Sequence, residues 1–216
     1  MLAKKGTIIT IITARNYKRT VKYLNQIYGQ YAICTNGASI WNRLGECLYR
    51  NFIDIQLYHK LLNKIYKCFF DIEIEIVMPD KTISISSYHE SLYCINGNIE
   101  GILISEHINE VLTLIQDENC QKRVLENSLL LITSYSSTKL LSLKYLLNIA
   151  QIPKEYTIAF GDDINDMEIL EYCFESIVPA NGNQQIMNLA THVCNDNNLD
   201  GVASWLSKKF NIEKED

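Results

Sequence analysis

The chain has only three prolines and nine glycines in 216 residues, which excludes collagen-like, Pro-rich and Gly/Ser-linker architectures and leaves a chain folded throughout. It has no surplus of positive charge: 20 Lys and Arg stand against 25 Asp and Glu, a net charge of -5. No basic run interleaved with aromatics occurs either, so nucleic acid is not an expected partner. Long apolar runs are missing; the N-terminal TIITII spans six residues before Arg15 follows, too short for a signal peptide or a membrane span. The seven cysteines, at 34, 47, 68, 94, 120, 173 and 194, show no CxxC spacing. Odd in number, they read as reduced, mostly buried side chains of a cytoplasmic protein. Neither GxGxxG nor GxxxxGK[ST] is present, which excludes the common dinucleotide and P-loop sites.

What is present alternates in texture. Hydrophobic residues make up 47% and charged residues 21%, ordinary for a globular chain, and the length suits a core of about 130 residues carrying a smaller insertion. Thr7 to Ile12 is a β-branched run bounded by Gly6 and Thr13-Ala-Arg15, the pattern of a strand buried on both faces in a parallel sheet. Val21, Leu24, Ile27 and Tyr28 recur at helical spacing, and Tyr31 to Cys34 gives a second strand ending in Thr35-Asn-Gly37. Strand, helix and strand make a parallel βαβ unit.

The texture changes near Trp41. An amphipathic helix at 54–69, a hairpin around Met78-Pro-Asp-Lys81, a loop at Asn96-Gly-Asn98, a strand at 101–104, a helix at 106–116 and a strand at 129–133 suggest an α+β insertion. From Lys139 the α/β pattern returns, with strands at 156–160, 176–179 and 191–194 and helices opening at 139, 167, 183 and 202. The expected organisation is a core segment 1–42, an inserted α+β domain 43–133 and a second core segment 134–216, the outer two forming one doubly wound core.

In an open parallel sheet, ligands bind beyond the carboxyl ends of the strands. Three polar clusters fall there: Thr13 with Arg15, Asn36 with Gly37, and Gly161-Asp-Asp-Ile-Asn-Asp166. An N-cap or helix-dipole preference accounts for one carboxylate in the last cluster. Asp162, Asp163 and Asp166 together repel one another unless a cation is present. Hard oxygen donors suit Mg2+, which keeps several waters and shares its shell with phosphate. Taken singly, Thr13 reads as a strand end, Asn36-Gly37 as a turn and Lys139 as a surface lysine.

Their order is more specific. Ile12-Thr-Ala-Arg15, Thr35-Asn-Gly-Ala38, an α+β insertion, Lys139 backed by Leu143 and Leu146, Gly161-Asp-Asp-Ile-Asn-Asp-Met167, and Asn181-Gly-Asn183 through Asp200-Gly-Val202 together resemble the haloacid-dehalogenase superfamily of phosphohydrolases, in its Cof-type branch with a large cap. The resemblance covers nearly the whole chain. It implies an α/β fold with a doubly wound, Rossmann-like parallel-sheet core and an inserted α+β cap. It further implies Mg2+-dependent hydrolysis of small phosphorylated metabolites such as sugar phosphates, with no membrane partner. By the same resemblance Thr13, Lys139 and Asp166 are the expected catalytic groups. Thr13 would donate its hydroxyl to the transferring phosphoryl group, and Lys139 would neutralise its charge. Asn36, Gly37 and Asn165 would complete the phosphate site, and Asp162 with Asp166 would hold the metal. The cap would close over the site, with Ser87-Tyr-His89 and Tyr93 among its candidate contacts.

One piece is absent from these residues. The family's chemistry begins with an aspartate nucleophile in a DxDGT motif on a central strand, and no such motif occurs here. Met1 to Gly6 resembles the end of the helix that follows that strand, so the first core strand is expected to be missing and its neighbours to have unpaired edges. Asp54 and Asp71 lie in the insertion and lack the following Gly-Thr. The chain is therefore expected to be inactive or truncated as a phosphatase. The competing expectation is a non-catalytic regulatory module that binds phosphate or metal.

Overall fold

The β-branched run ahead of Thr13 forms strand β1 (Thr10–Ile12), followed by α1 (Tyr17–Gln26) and β2 (Tyr31–Cys34), with β1 and β2 parallel in register from Thr10↔Tyr31 to Ile12↔Ile33. The computed structural model describes residues 2, 6–93, 98–125 and 128–212. Asn16 starts α1 by accepting the Arg19 N–H on its side chain, and the helix buries Thr20 and Leu24. Of the four residues at helical spacing only Leu24 is buried: Val21 is half-buried, and Ile27 and Tyr28 lie past the end of the helix and are exposed. β1 is only half-buried, not buried on both faces as expected. Its one ladder partner among the described residues is β2. The sheet then continues antiparallel through β3 (Ser39–Asn42) and β4 (Cys47–Arg50), in the order β1-β2-β3-β4.

Beyond Arg50 come α2 (Ile55–Cys68), β5 (Ile74–Val77), β6 (Thr82–Ile85), α3 (Tyr88–Tyr93), β7 (Gly101–Ile104), α4 (Ile108–Leu114), β8 (Cys120–Leu125) and β9 (Leu129–Ser134). The five strands form an antiparallel sheet in the order β6-β5-β7-β9-β8. Alternate residues Ile74, Ile76, Ile102, Ile104, Leu130 and Ile132 are buried and share a core with Tyr58, Leu61, Leu62 and Ile65 of α2, period 2 meeting period 3.6. Asn96 and Gly97 of the Asn-Gly loop, and the side chain of Tyr93, lie outside the described residues.

The structure separates into two units, Gly6–Ser142 and Leu143–Asp216 with Met1–Lys5, and the chain passes between them within α5 (Lys139–Ile149). The second unit holds β10 (Ile158–Phe160), α6 (Met167–Tyr172), β11 (Glu175–Pro179), α7 (Gln184–Met187), β12 (His192–Cys194) and α8 (Gly201–Phe210). Its three strands are parallel in the order β10-β11-β12. β10, like β1, has one ladder partner among the described residues. Cys34, Cys120, Cys173 and Cys194 are buried and Cys68 is exposed, with no disulfide among the described cysteines. No helix among the described residues is long and apolar enough to cross a membrane.

One buried carboxylate pins α2 to the loop before β8. Glu118, its side chain 4% exposed, accepts from Lys60 at 2.7 Å and Lys64 at 2.5 Å. These bonds hold its carboxyl below the ordinary range. A depressed folded value means that the contribution is present above the unfolded carboxyl value of about 4.3 and is lost as pH falls through the folded one. Both lysines reach solvent, so the effect is discounted to about 1–2 kcal/mol. Glu118→Gln should lower the melting temperature at pH 7 and flatten its dependence on pH below about 4.3. Melts that run parallel to the parent across that range would refute this.

Candidate functional site

The first unit brings four of the expected site residues together. Thr13 leaves β1 with its N–H on the Ile33 carbonyl at 2.9 Å, and the Asn36 N–H returns to the Thr13 carbonyl at 3.0 Å. After β2 the chain turns through three consecutive left-handed residues, Thr35 (φ 45), Asn36 (φ 51) and Gly37 (φ 100). A β-branched threonine there is a true outlier, with strain on the order of 1–3 kcal/mol. Gly37 is required on two counts. Its φ disfavours any side chain, and a Cβ would collide with the Thr138 carbonyl oxygen. Ser142 Oγ donates to the Gly37 carbonyl at 2.8 Å. The arch is thus pressed onto the first turn of α5, which Lys139, 9% exposed, opens.

Asn36 is 1% exposed, and neither its Oδ1 nor its Nδ2 has a hydrogen-bond partner among the described residues. Buried amides are almost always satisfied, so such a group needs a reason. Sequence reasoning placed this residue at a strand end. It could not show that the amide is left unpaired.

The acidic loop occupies the second unit. Gly161 allows a sharp exit from β10, since a Cβ on it would lie 2.6 Å from Asp166 Cβ. Asp163 turns inward, accepting the Ile164 N–H at 2.7 Å and Asn165 Nδ2 at 2.6 Å, while the Asp166 N–H bonds the Asp163 carbonyl at 2.9 Å. The capping role accounts for Asp163, whose two oxygens are both engaged within the loop. The Asp162 carboxylate is exposed and makes no hydrogen bond or ion pair among the described residues, and its carbonyl accepts the Asn183 N–H at 2.9 Å. No group of three or more His, Cys, Asp or Glu that could hold a metal occurs among the described residues. One free carboxylate still fits Mg2+, which commonly takes one or two protein carboxylates and fills its shell with water and substrate phosphate.

A residue that sequence reasoning missed sits behind the arch. Glu100, fully buried just before β7, accepts from Thr35 Oγ1 at 2.6 Å and from Ser39 Oγ. Burial pushes its carboxyl up, against the two hydroxyl bonds, which favour the ionised form. Its one sequence signal is a carboxylate between Ile99 and the Gly101–Ile104 strand.

Parallel strands with polar groups at their carboxyl ends, together with an antiparallel sheet that has its own core, define an α/β protein with an α+β insertion. Residues 1–206 match the model of the haloacid dehalogenase-like hydrolases, and the chain belongs to that family. Its fold is shared with a sugar phosphatase of HAD subclass IIB, at 18% identity and a TM-score of 0.78 over 98% of this chain and 88% of that one. A HAD/COF-like hydrolase from Plasmodium vivax gives 18% identity and a TM-score of 0.82 over 98% and 86%. Among curated proteins, 5-amino-6-(5-phospho-D-ribitylamino)uracil phosphatase YitU of Bacillus subtilis is 36% identical over 61 residues, 28% of this chain and 23% of that protein. The match thus spans about a quarter of the curated relative, 23% of its length.

Proposed function

We propose that the chain carries a phosphomonoester site of the Mg2+-dependent HAD phosphatase kind, serving small phosphorylated metabolites such as sugar phosphates in the cytoplasm. The observation that carries this reading is the convergence of Thr13, Asn36, Gly37 and the Lys139 turn around a buried amide with no partner. Such an amide costs about 1–3 kcal/mol when left unmet. A bound phosphate oxygen would satisfy its N–H. The Thr13 hydroxyl would donate to a second oxygen, and the Lys139 ammonium would offset the charge. Phosphoryl transfer asks mainly for this positioning and charge stabilisation. Mg2+, when bound, would neutralise phosphoryl oxygens. Asp162 would be its protein ligand, joined by Asp166, with Asn165 tied to the loop by Asp163. The sugar phosphatase among the fold neighbours and the phosphoribityl substrate in the curated relative's name support the substrate class. We take the cap to be the α+β segment within 43–133, beginning on sheet membership after Arg50.

The 216 residues contain no DxDGT, so this chain is expected to bind phosphate without turning over a phosphomonoester. The second reading is a non-catalytic phosphate-binding module derived from such an enzyme. Calorimetry should detect inorganic phosphate binding that Mg2+ tightens, and the Mg2+ effect should vanish in Asp162→Asn. With p-nitrophenyl phosphate and Mg2+, release of nitrophenol should stay at background. Turnover abolished by Asp162→Ala would show that another group supplies the nucleophile, and a chain that binds no phosphate would end both readings.

A further inference from the structure

We propose that Glu100 is a positioning residue of this site: it holds the left-handed arch Thr35-Asn36-Gly37 from behind and so fixes where Asn36 presents its amide. The inference rests on the reading of Asn36 as a phosphate contact.

The arch cannot hold itself. Thr35 is β-branched and left-handed at φ 45, and a residue in that region persists only where its surroundings over-determine it. Its N–H is taken by the Arg15 carbonyl at 3.0 Å, and its hydroxyl by Glu100 Oε2 at 2.6 Å. On the far side of the arch, Ser39 Oγ donates to the other oxygen, Glu100 Oε1. Trp41 Nε1 donates to Ser39 Oγ at 2.8 Å. The indole thus occupies a serine lone pair, and the single serine proton is directed to the carboxylate. One buried carboxylate therefore grips the residues on both sides of Asn36-Gly37.

The anchor comes from a different sheet than the arch. The Glu100 N–H bonds the Val77 carbonyl at 2.9 Å, where the β5–β7 ladder ends. Gly101 lets that ladder come close, because a Cβ on it would lie 2.9 Å from Leu131 Cδ1 and 3.3 Å from Thr35 Cγ2. Arch and insertion are thereby joined through one side chain with no exposed surface. Without the carboxylate, nothing described would hold the Thr35 hydroxyl, and the arch would relax toward ordinary backbone angles, carrying the Asn36 amide with it.

The test measures inorganic phosphate affinity together with 1H–15N spectra of the same proteins. Glu100→Leu should weaken phosphate binding by about tenfold or more, the weight of one hydrogen bond to a charged group. Glu100→Gln keeps an acceptor and should recover most of that loss. In an Asn36→Ala background Glu100→Leu should cost nothing further, a non-additivity that a general loss of stability would not produce. The Thr35, Asn36 and Gly37 amide signals should move in Glu100→Leu while those of α2 stay. Wild-type affinity with unmoved arch signals overturns the proposal, as does full additivity in the double variant. If Asn36→Ala leaves phosphate affinity unchanged, or the parent binds none, the functional reading fails instead. The arch signals then decide Glu100 alone: moved signals support it and unmoved ones overturn it. Should Glu100→Leu not fold, Thr35→Val, which removes only the hydroxyl, should weaken phosphate as Glu100→Leu would, and Thr35→Ser should not. Equal affinities in those two overturn it.

Discussion

Gly37→Ala is expected to destabilise the protein by about 3–5 kcal/mol and to abolish phosphate binding. Two costs add. The left-handed φ of 100 carries strain of about 1–3 kcal/mol for a residue with a Cβ. The new methyl would also be driven against the Thr138 carbonyl, with Ser142 Oγ 3.0 Å away, and overpacking against rigid groups costs a further 1–3 kcal/mol or so. Backbone cannot rotate aside as a side-chain tip can, so the arch and the first turn of α5 must part. In a chain of this size that corresponds to a fall in melting temperature on the order of 10 °C. Gly45→Ala separates the two costs: its φ is 85, yet its added Cβ would meet only Tyr17 Oη at 3.7 Å. A Gly37→Ala melt no lower than that of Gly45→Ala would show that the Thr138 contact carries no weight.

Much of this arrangement was legible in the residue order. Tyr31–Cys34 and Gly101–Ile104 form strands at the positions where the apolar runs lie, and α2 begins after Asp54 and spans the amphipathic stretch, because local periodicity and capping are written locally. The strand-end clusters were legible for the same reason. β8 was not: Gln121, Lys122 and Arg123 fall in an edge strand, where half-exposed positions tolerate charge and blur the alternation. The hairpin of β3 and β4 was missed as well, since it extends a sheet whose first strands are parallel. At the site, what stayed hidden depends on distant partners. The carboxylate of Glu100 meets hydroxyls 65 and 61 positions away. Asp163 was grouped with the metal loop although its oxygens are spent on Ile164 and Asn165. Composition reveals a cluster of carboxylates; only geometry shows which of them faces outward.

Lys139→Met is expected to weaken phosphate binding by about a hundredfold while moving the melting temperature by no more than a few degrees. The side chain is 9% exposed at the first position of α5. A helix N-terminus carries partial positive charge, so a cation gains nothing from the dipole there and loses some of its hydration. Methionine keeps the length and the apolar stem of the side chain while removing its charge. An anion bound in the arch would draw on that charge: a charge-assisted bond in a dry site contributes about 2–3 kcal/mol, which is the hundredfold. Lys139→Arg, which retains the charge, should recover part of the affinity at unchanged stability. A fall in affinity matched by an equal loss of folding free energy would mark Lys139 as a packing residue, and phosphate bound within threefold of the parent by the methionine variant would remove it from the site.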